Sequence, residues 1–396
     1  MTKWIKKPLV DVAEMCLGKM LDEQKNKGEL LPYLANVNVR WGSFECENLR
    51  EMRFAHNEMD RYGLKLGDIV MCEGGEPGRC AIWRDAVPGM MIQKALHRIR
   101  PKNELDHRFL FYFFLHTGYT GGFAPLFTGA TIKHLPKQSL EKLEIEYPPL
   151  DQQQRIADVL STYDDLIENN RRRMALLEES ARLLYREWFV RLRFPGYEHT
   201  PIVEGVPQGW ERKTLGDLCR EIRDMVLPEA LEPDTPYIGL EHIPRRSISL
   251  NDWGTAEQVT SGKSRFKAGE IIFGKIRPYF HKVGVAFVDG VASSDAIIVR
   301  PTDDTLHGLV LMTMSSDEFV AVTAQQMKEG SKMPRADWKQ MKAYCVPLPP
   351  SGLLRNFNEV IQPIVEQLKS LGFSNQKLRA ARDLLLPRLM DGYLAV

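Results

Sequence analysis

The clearest hydrophobic pattern in the chain is a heptad repeat that begins at Ile156. Its positions alternate spacings of four and three residues, which is typical of a coiled-coil helix. The positions are Ile156, Leu160, Tyr163, Ile167, Asn170, Met174, Leu177, Ala181, Leu184 and Trp188. The pattern predicts one long helix with a seam that is covered by another element.

The same pattern recurs 201 residues later, from position 156 to position 357. The repeated positions are Phe357, Ile361, Ile364, Leu368, Leu371, Asn375, Leu378, Arg382, Leu385 and Leu389. Two heptad helices in one chain are expected to pair, although each could instead pack on its own domain as an amphipathic core helix. Asn170 and Asn375 fall on seam positions, where a polar side chain lowers stability but can fix register. Pro363 should kink the second helix or mark its first turn, and Gly372 should loosen it.

Shorter motifs are also repeated, in the same order, before each helix. The first copy runs from Trp4 through Pro32-Tyr33 and Leu66-Gly67-Asp68-Ile69-Val70 to Tyr147-Pro148-Pro149. The second runs from Trp210 through Pro236-Tyr237 and Ala268-Gly269-Glu270-Ile271-Ile272 to Leu348-Pro349-Pro350. Repetition at this spacing predicts two related domains. We therefore expect an α+β chain in which two related α/β domains and two long helices are arranged about a pseudo-twofold axis.

Composition sets further limits. The chain has 396 residues, of which 43% are hydrophobic and 27% charged, as is ordinary for a soluble globular protein. The longest apolar run, Phe109 to Leu115, is too short to span a bilayer, and the N-terminus lacks a signal-peptide pattern. We therefore expect a cytoplasmic protein without a membrane partner. Six cysteines without a C-x-x-C pair predict reduced thiols and no metal site.

A net charge of +1 makes the distribution of Lys and Arg more informative than their sum. The segment Arg245–Lys282 is rich in both, with aromatic residues between them, which is typical of a nucleic-acid contact surface. Gly274 and Pro278 are expected to end a strand and begin a loop. The DNA-binding candidates of this domain are Arg245, Arg246, Lys275, Arg277, Tyr279, His281, Lys282 and Lys332.

The first domain has a loop at the matching position, Cys72–Arg79, with different chemistry. Its candidates for DNA contact are Glu73, Arg79, Lys94 and Lys133. Arg can bind a guanine edge with two hydrogen bonds, and Glu can accept one from cytosine, so the difference suits two different base sequences. Arg277 is the favoured base contact because of its planar fork, and His281 is expected to contact phosphate. Either loop could instead be a solvated hairpin.

Several stretches together resemble the specificity subunit of type I restriction-modification enzymes. They are Tyr147–Ser161 (YPPLDQQQRIADVLS), Leu184–Val190 (LYREWFV) with Pro207–Trp210 (PQGW), Arg382–Leu389 (RDLLLPRL), Gly269–Lys282 (GEIIFGKIRPYFHK) and Gln93–Pro101 (QKALHRIRP). The resemblance covers essentially the whole chain. It implies target recognition domains at 1–150 and 196–350, a central conserved spacer helix at 151–195, and a C-terminal conserved spacer helix at 351–396.

The resemblance also implies a function. In that family each recognition domain binds one half of a split site in double-stranded DNA. The two helices form an antiparallel coiled coil that sets the gap between the halves and docks two adenine-methylating modification subunits. Those subunits can recruit two restriction subunits, which translocate and cleave DNA. S-adenosylmethionine, ATP and Mg are expected on the partner subunits, and no cofactor or metal in this chain.

The residues do not favour catalysis by the chain itself. Tyr147-Pro148-Pro149-Leu150 lacks the amide or carboxylate with which adenine methyltransferases hold the base. Ser261-Gly262-Lys263-Ser264 resembles the end of a phosphate-binding loop, but Glu257 stands where its first glycine should be. Glu270 and Lys275 could belong to a nuclease pattern, but the carboxylate expected upstream is absent. We therefore expect a non-catalytic DNA-recognition subunit. A DNA-modifying enzyme and a coiled-coil interaction scaffold remain the alternatives.

Overall fold

The computed structural model describes residues 4–22, 26–47, 49–325 and 334–394. The chain forms two compact units. Unit 1 comprises Met1–Leu166 and Leu378–Val396, and unit 2 comprises Ile167–Lys377. Each unit therefore combines an α+β domain with parts of both long helices. Within the described residues, no helix is both long enough and apolar enough to cross a membrane.

The domain of unit 1 is built on a four-stranded antiparallel sheet. Its strands lie in the order Ala13–Leu17, Leu96–Pro101, Ile69–Cys72 and Cys80–Ile82. A second sheet has the order Arg50–Phe54, Glu29–Leu34 and Met91–Ile92, and its last two strands are parallel. Two-stranded ladders join Ile5–Pro8 to Glu144–Tyr147 and Val39–Arg40 to Ser43–Phe44.

The domain of unit 2 repeats this topology with more strands in each of its two main sheets. One sheet has the order Cys219–Ile222, Ala296–Pro301, Ile271–Gly274, Val283–Ala286 and Ser249–Leu250. The other has the order Asp224–Val226, Lys263–Phe266, Gly290–Ala292, Pro236–Ile238 and Gly254–Thr255. Two-stranded ladders join Glu211–Thr214 to Cys345–Leu348 and Ile202–Val203 to Val206–Pro207. Tyr237 pairs in parallel with Val291 as Tyr33 does with Met91, so the predicted relationship between the domains is confirmed.

Helices cover these sheets. The longer ones are His107–Tyr119 in unit 1 and His307–Met314 and Asp317–Gln325 in unit 2. Single helical turns lie at Leu9–Val12, Met59–Tyr62, Lys137–Leu140, Leu215–Leu218 and Trp338–Met341. The Asp106 carboxylate caps His107–Tyr119, because it accepts hydrogen bonds from the free backbone N–H groups of Arg108 and Phe109. The apolar run that begins at Phe109 is therefore a core helix.

The repeated Gly-Asp-Ile and Gly-Glu-Ile motifs have a structural explanation. Gly67 has φ of +86°, a left-handed conformation that favours glycine, in the turn before the central strand. Asp68 follows it and is buried. Its carboxylate accepts a 2.7 Å hydrogen bond from the backbone N–H of Lys65 and two of 2.7 Å from the guanidinium of Arg100. The motif therefore closes the turn and joins it to the neighbouring strand.

Unit 2 repeats this arrangement. Gly269 has φ of +89°, and the Glu270 carboxylate accepts a 2.9 Å hydrogen bond from the N–H of Lys267. It also accepts a 2.5 Å hydrogen bond from Nε of Arg300. Both carboxylate oxygens of Glu270 thus accept hydrogen bonds within the fold, and this argues against a nuclease role for Glu270.

The heptad patterns form two long helices. The first long helix is Leu150–Tyr185, continued by a π-helix over Arg186–Val190, and the second long helix is Ser351–Met390. Pro363 lies inside the second long helix, so the expectation that it marks a first turn is wrong. A Cβ at Gly372 would lie 1.9 Å from Oδ1 of Asn251. Glycine therefore allows a loop of unit 2 to approach the helix closely.

Most predicted seam residues are covered. Ile156, Leu160, Ile167, Asn170, Ile361, Leu368 and Asn375 are buried, whereas Leu177, Leu184, Leu378 and Leu385 are half-buried. In unit 2 the side chain of Asn170 donates a hydrogen bond to that of Asn375, and the ring centroids of Trp188 and Phe357 lie 5.7 Å apart. From the first pair to the second, the residue number increases along the first long helix and decreases along the second long helix, so the two helices run in opposite directions. The predicted antiparallel pairing is confirmed there.

In unit 1 the two long helices are joined by an ion pair. Arg382, at a predicted seam position, forms it with Asp164, and Asp164 also accepts a 2.7 Å hydrogen bond from the hydroxyl of Tyr112. Ile156 and Leu160 share the hydrophobic core of the unit 1 domain with Leu386. The helices therefore pack on each other and on their domain. Both expectations for the heptad faces, pairing of the helices and packing on the domain, are met in unit 1.

In unit 2 the domain is attached to both long helices. Glu178 is buried on the first long helix, and its Oε1 accepts hydrogen bonds from Oγ of Ser247 at 2.6 Å, N of Ile248 at 3.1 Å and Oγ of Ser249 at 2.8 Å. On the second long helix, Gln376 donates a 2.8 Å hydrogen bond to the carbonyl of Asn251. Side chains of both long helices thus fix the unit 2 domain on the helix pair.

Candidate nucleic-acid interface

The central strand of unit 1 leads into a hairpin loop, Cys72–Arg79, that is closed and fixed by backbone hydrogen bonds. The N–H of Cys72 donates to the carbonyl of Arg79 at 2.8 Å. The N–H of Glu73 donates to the carbonyl of Ala95 at 2.9 Å, and the carbonyl of Glu73 accepts from Leu135 at 2.7 Å. Three chain segments therefore meet at this end of the sheet.

The loop of unit 2, Gly274–Lys282, has the same frame. The N–H of Gly274 donates to the carbonyl of Lys282 at 2.8 Å. The N–H of Lys275 donates to Asp295 at 2.7 Å, and the carbonyl of Lys275 accepts from Ala336 at 2.9 Å. We call these two loops the tip loops. They are equivalent positions of the two domains with different side chains.

Three of the four candidates in unit 1 are brought together by this frame. Glu73 is half-buried on the tip loop, and Lys94 lies exposed on the segment that holds it. Lys133 is exposed on the third segment, with its Nζ 5.9 Å from the ring centroid of Phe127. An acceptor and two cations from separate parts of the sequence therefore share one end of the domain.

Arg79 and Lys282 hold the tip loops in place. Nη2 of Arg79 donates a 3.0 Å hydrogen bond to the carbonyl of Asn36, and Nζ of Lys282 donates to the carbonyl of Leu240. Burial also lowers the pKa of Lys282, because desolvation disfavours the charged amine. The two cations have equivalent structural roles. Each uses at least one donor within the fold, and that Arg79 and Lys282 contact DNA stays a prediction.

His281 does not fit a phosphate contact. The residue is buried, and its Nε2 lies 2.8 Å from the carbonyl oxygen of Ser315. Desolvation lowers the pKa of the imidazole, which favours the neutral form over the cation that phosphate would prefer. The expectation is corrected on this ground: His281 anchors the end of the tip loop.

Two further cations of unit 2 have partners in the fold. Nζ of Lys275 donates a 2.9 Å hydrogen bond to the carbonyl of Ser294, and burial lowers its pKa. Arg246 is exposed but forms a 2.8 Å ion pair with Asp317. An exposed pair of this kind contributes little to stability, so Arg246 can exchange its partner.

The exposed candidates of unit 2 surround one aromatic ring. The guanidinium carbon of Arg245 lies 4.1 Å from the ring centroid of Phe280, and that of Arg277 lies 5.9 Å from it. Tyr279 beside them is 53% exposed. Lys332 lies outside the described residues. The surface available at this tip is therefore formed by Arg245, Arg277 and Tyr279.

Sequence reasoning missed residues that complete each tip. In unit 1, Nε1 of Trp41 donates a 3.2 Å hydrogen bond to Glu76 of the tip loop, and the carbonyl of Asn36 accepts from Arg79. In unit 2, Arg335 is exposed and lies 3.3 Å from the carboxylate of Asp295. The polar, turn-forming sequence Asn36-Val37-Asn38 was a usable signal. Arg335 had none, because only the fold brings it beside Lys275.

No group of His, Cys, Asp or Glu side chains suited to a metal ion occurs in the part of the chain that the structure describes. The two nuclease candidates are engaged with other groups, Glu270 with Arg300 and Lys275 with Ser294. What the tips offer is an array of donors and acceptors on a fixed backbone, which is chemistry for binding base edges and phosphates.

Comparison with known proteins agrees with this chemistry. Residues 1–179 match the family model described as the type I restriction modification DNA specificity domain. The chain is 25% identical to the type I restriction enzyme MjaIX specificity subunit of Methanocaldococcus jannaschii, over 99% of this chain and 94% of that protein. It is 24% identical to the EcoDI specificity subunit of Escherichia coli, over 61% and 58% of the two chains.

A solved structure shares the fold. The type I restriction-modification S subunit from M. genitalium superposes with a TM-score of 0.56 at 17% identity, and the match covers 98% of this chain and 96% of that one. Residues 1–179 therefore match the type I restriction modification DNA specificity domain, and over nearly its whole length the chain is similar to a type I restriction enzyme specificity subunit.

Proposed function

We propose that this chain is the non-catalytic DNA sequence-recognition subunit of a type I restriction-modification complex, and that each domain binds one half of a split site in double-stranded DNA. The observation that carries the proposal is the pair of tip loops. They share one backbone hydrogen-bond frame, but unit 2 presents the exposed Arg277 where unit 1 has Gly75. Equivalent scaffolds with different donors and acceptors suit two different base sequences.

The paired helices supply the second part of the proposal. They carry both domains, and their exposed faces dock two methyltransferase subunits and set the gap between the half-sites. Two restriction subunits join the complex through these methyltransferase subunits. S-adenosylmethionine, ATP and Mg bind to the partner subunits and not to this chain. Leu176 and Leu183 on the first long helix are 69% and 46% exposed, which supports a protein contact there.

The test is to express the chain together with its methyltransferase partner and map methylated adenines in the host genome. We expect one split site, with two defined half-sites separated by unspecified bases, and loss of methylation when this chain is omitted. Methylation that does not depend on this chain, or a continuous site, would contradict the proposal. The isolated chain should bind DNA weakly, because its net charge is only +1, and with a steep salt dependence, because this binding comes from a concentrated basic patch.

The alternatives predict different outcomes in the same experiment. A DNA-modifying enzyme would alter DNA when the chain is expressed alone. An interaction scaffold would bind the methyltransferase without changing which adenines are methylated. The engagement of Glu270 and Lys275 within the fold argues against the first alternative.

A further inference from the structure

The tip loops differ most informatively at their left-handed positions. In unit 1 these positions are glycines, Gly75 with φ of +80° and Gly78 with φ of +91°. In unit 2 they are Arg277 with φ of +50° and His281 with φ of +54°. Residues with a Cβ are strained in this conformation, and such strain is kept where surrounding structure or function requires the side chain.

The fold accounts for one of the two strained residues. His281 is buried, with its imidazole against the carbonyl of Ser315. Arg277 is different, because it is exposed and its guanidinium forms no hydrogen bond or ion pair with any described residue. Apart from the contact of its guanidinium with the ring of Phe280, nothing in the described fold requires an arginine side chain at this position, whereas glycine would fit the backbone without strain.

The backbone at Arg277 is held firmly. Its N–H donates a 2.9 Å hydrogen bond to the carbonyl of Pro334, and its carbonyl accepts one of 2.8 Å from Phe280. The guanidinium groups of Arg277 and Arg245 both lie near the ring centroid of Phe280, at 5.9 Å and 4.1 Å. A fork of donors on a fixed backbone loses little freedom on binding, which favours a specific contact over a diffuse one.

We infer that Arg277 is a specificity-determining residue that binds the O6 and N7 edge of one guanine in the half-site of unit 2. The guanidinium matches this pair of acceptors, and the contact is the commonest specific one between arginine and DNA. Unit 1 carries Gly75 at the equivalent position and cannot make it. This inference rests on the proposed function, to which it adds the identity of one base, guanine, and of the residue that binds it, Arg277.

The test compares methylation sites in cells that express the wild-type chain or a variant with the methyltransferase partner. Arg277→Gly installs the residue that unit 1 uses and removes strain, so the protein should fold. One guanine position of one half-site should become unspecified, with discrimination there falling about 10- to 100-fold. The other half-site should stay unchanged.

Arg277→Lys separates a base contact from a phosphate contact. Lysine keeps the charge but lacks the fork, so a guanine contact should lose discrimination while the salt dependence of binding stays the same. Lys267→Ala is the matched control, because this exposed cation lies at the opposite end of the strand Ile271–Gly274 and should leave the site unchanged.

The outcomes are distinguishable. If the wild-type chain directs no split site, the proposed function fails. If it does, but Arg277→Gly weakens methylation uniformly or leaves every base preference intact, only the guanine contact is overturned. A lysine variant that discriminates at every base as the wild type does would show that the arginine fork is not required, and this too would overturn the inference.

Discussion

The side-chain amide of Asn170 donates a 2.9 Å hydrogen bond to Oδ1 of Asn375, and both residues are buried. The two positions are not equivalent in the repeat. The 201-residue offset matches Asn170 with Leu371, and Asn375 with Met174. The hydrogen bond therefore occurs once in a seam that is otherwise apolar at these positions. A single buried polar pair of this kind favours one register, since any shift leaves both amides without a partner.

Substituting one asparagine should cost more than substituting both. Asn170→Leu leaves the amide of Asn375 buried without its partner and should lower the free energy of unfolding by about 1–3 kcal/mol. The double change to leucine should recover most of this loss. Denaturant titration of the two single variants and the double variant measures the coupling. Strictly additive effects would show that the hydrogen bond is not the interaction that matters.

The ion pairs at the central strands should affect stability but not DNA specificity. Asp68→Asn weakens two hydrogen bonds to Arg100 and should destabilise unit 1 by about 2 kcal/mol. Glu270→Gln should do the same in unit 2 through Arg300. Thermal unfolding combined with methylation mapping checks both. An unchanged stability with lost activity would return Glu270 to the list of catalytic candidates.

Glu178 should be important for fixing the unit 2 domain on the helix pair. Glu178→Ala leaves three donors, the hydroxyls of Ser247 and Ser249 and the N–H of Ile248, without their acceptor. We expect a loss of about 3 kcal/mol in denaturant titration. Glu179→Ala is the control, because that side chain is 52% exposed and should change stability by less than about 0.5 kcal/mol. Equal effects at both positions would refute the role.

Acid should destabilise the protein through the buried His97 and His281 and the half-buried His307. Desolvation lowers the pKa of His97, His281 and His307, whereas an unfolded histidine titrates near 6.5. The unfolded state therefore takes up protons first as the pH falls. The stabilisation is complete above about pH 6.5 and is lost progressively below it, towards the folded pKa values. Unfolding midpoints measured between pH 7.5 and pH 5.5 should decrease. A constant midpoint would contradict the expectation.

Lengthening both helices by matched heptads should lengthen the gap in the DNA site. Insertion after Leu166 and after Leu378 lies between the Asp164–Arg382 and Asn170–Asn375 pairs and leaves both intact. Seven residues add about 10 Å of helix, or about three base pairs of DNA. Methylation mapping should show unchanged half-sites with a longer gap. Insertion in one helix alone should shift the seam and abolish methylation. An active doubly extended chain with the original gap would show that the helices do not measure it.

The sequence by itself determined the features that depend on neighbours along the chain. Heptad spacing predicted both long helices, because helical periodicity is a local property. The repeated motifs predicted two related domains, since loop changes leave the order of elements intact. The strand and loop at Ile271–Lys282 followed from an apolar run that ends at Gly274. Even the buried face around Asn170 and Asn375 could be read from the register.

Only the tertiary structure decided which charged residues are available to a ligand. Arg79, Lys282 and His281 look like DNA contacts in the sequence, but their partners Asn36, Leu240 and Ser315 lie 43, 42 and 34 residues away. A hydrogen bond over such distances depends on how sheets and loops meet, which local patterns do not encode. The same applies to Gly372, whose need for glycine comes from Asn251 on a distant loop. Arg277 is singled out for the same reason, since the strain of its backbone and the lack of a described hydrogen-bond or ion-pair partner for its guanidinium exist only in the folded chain.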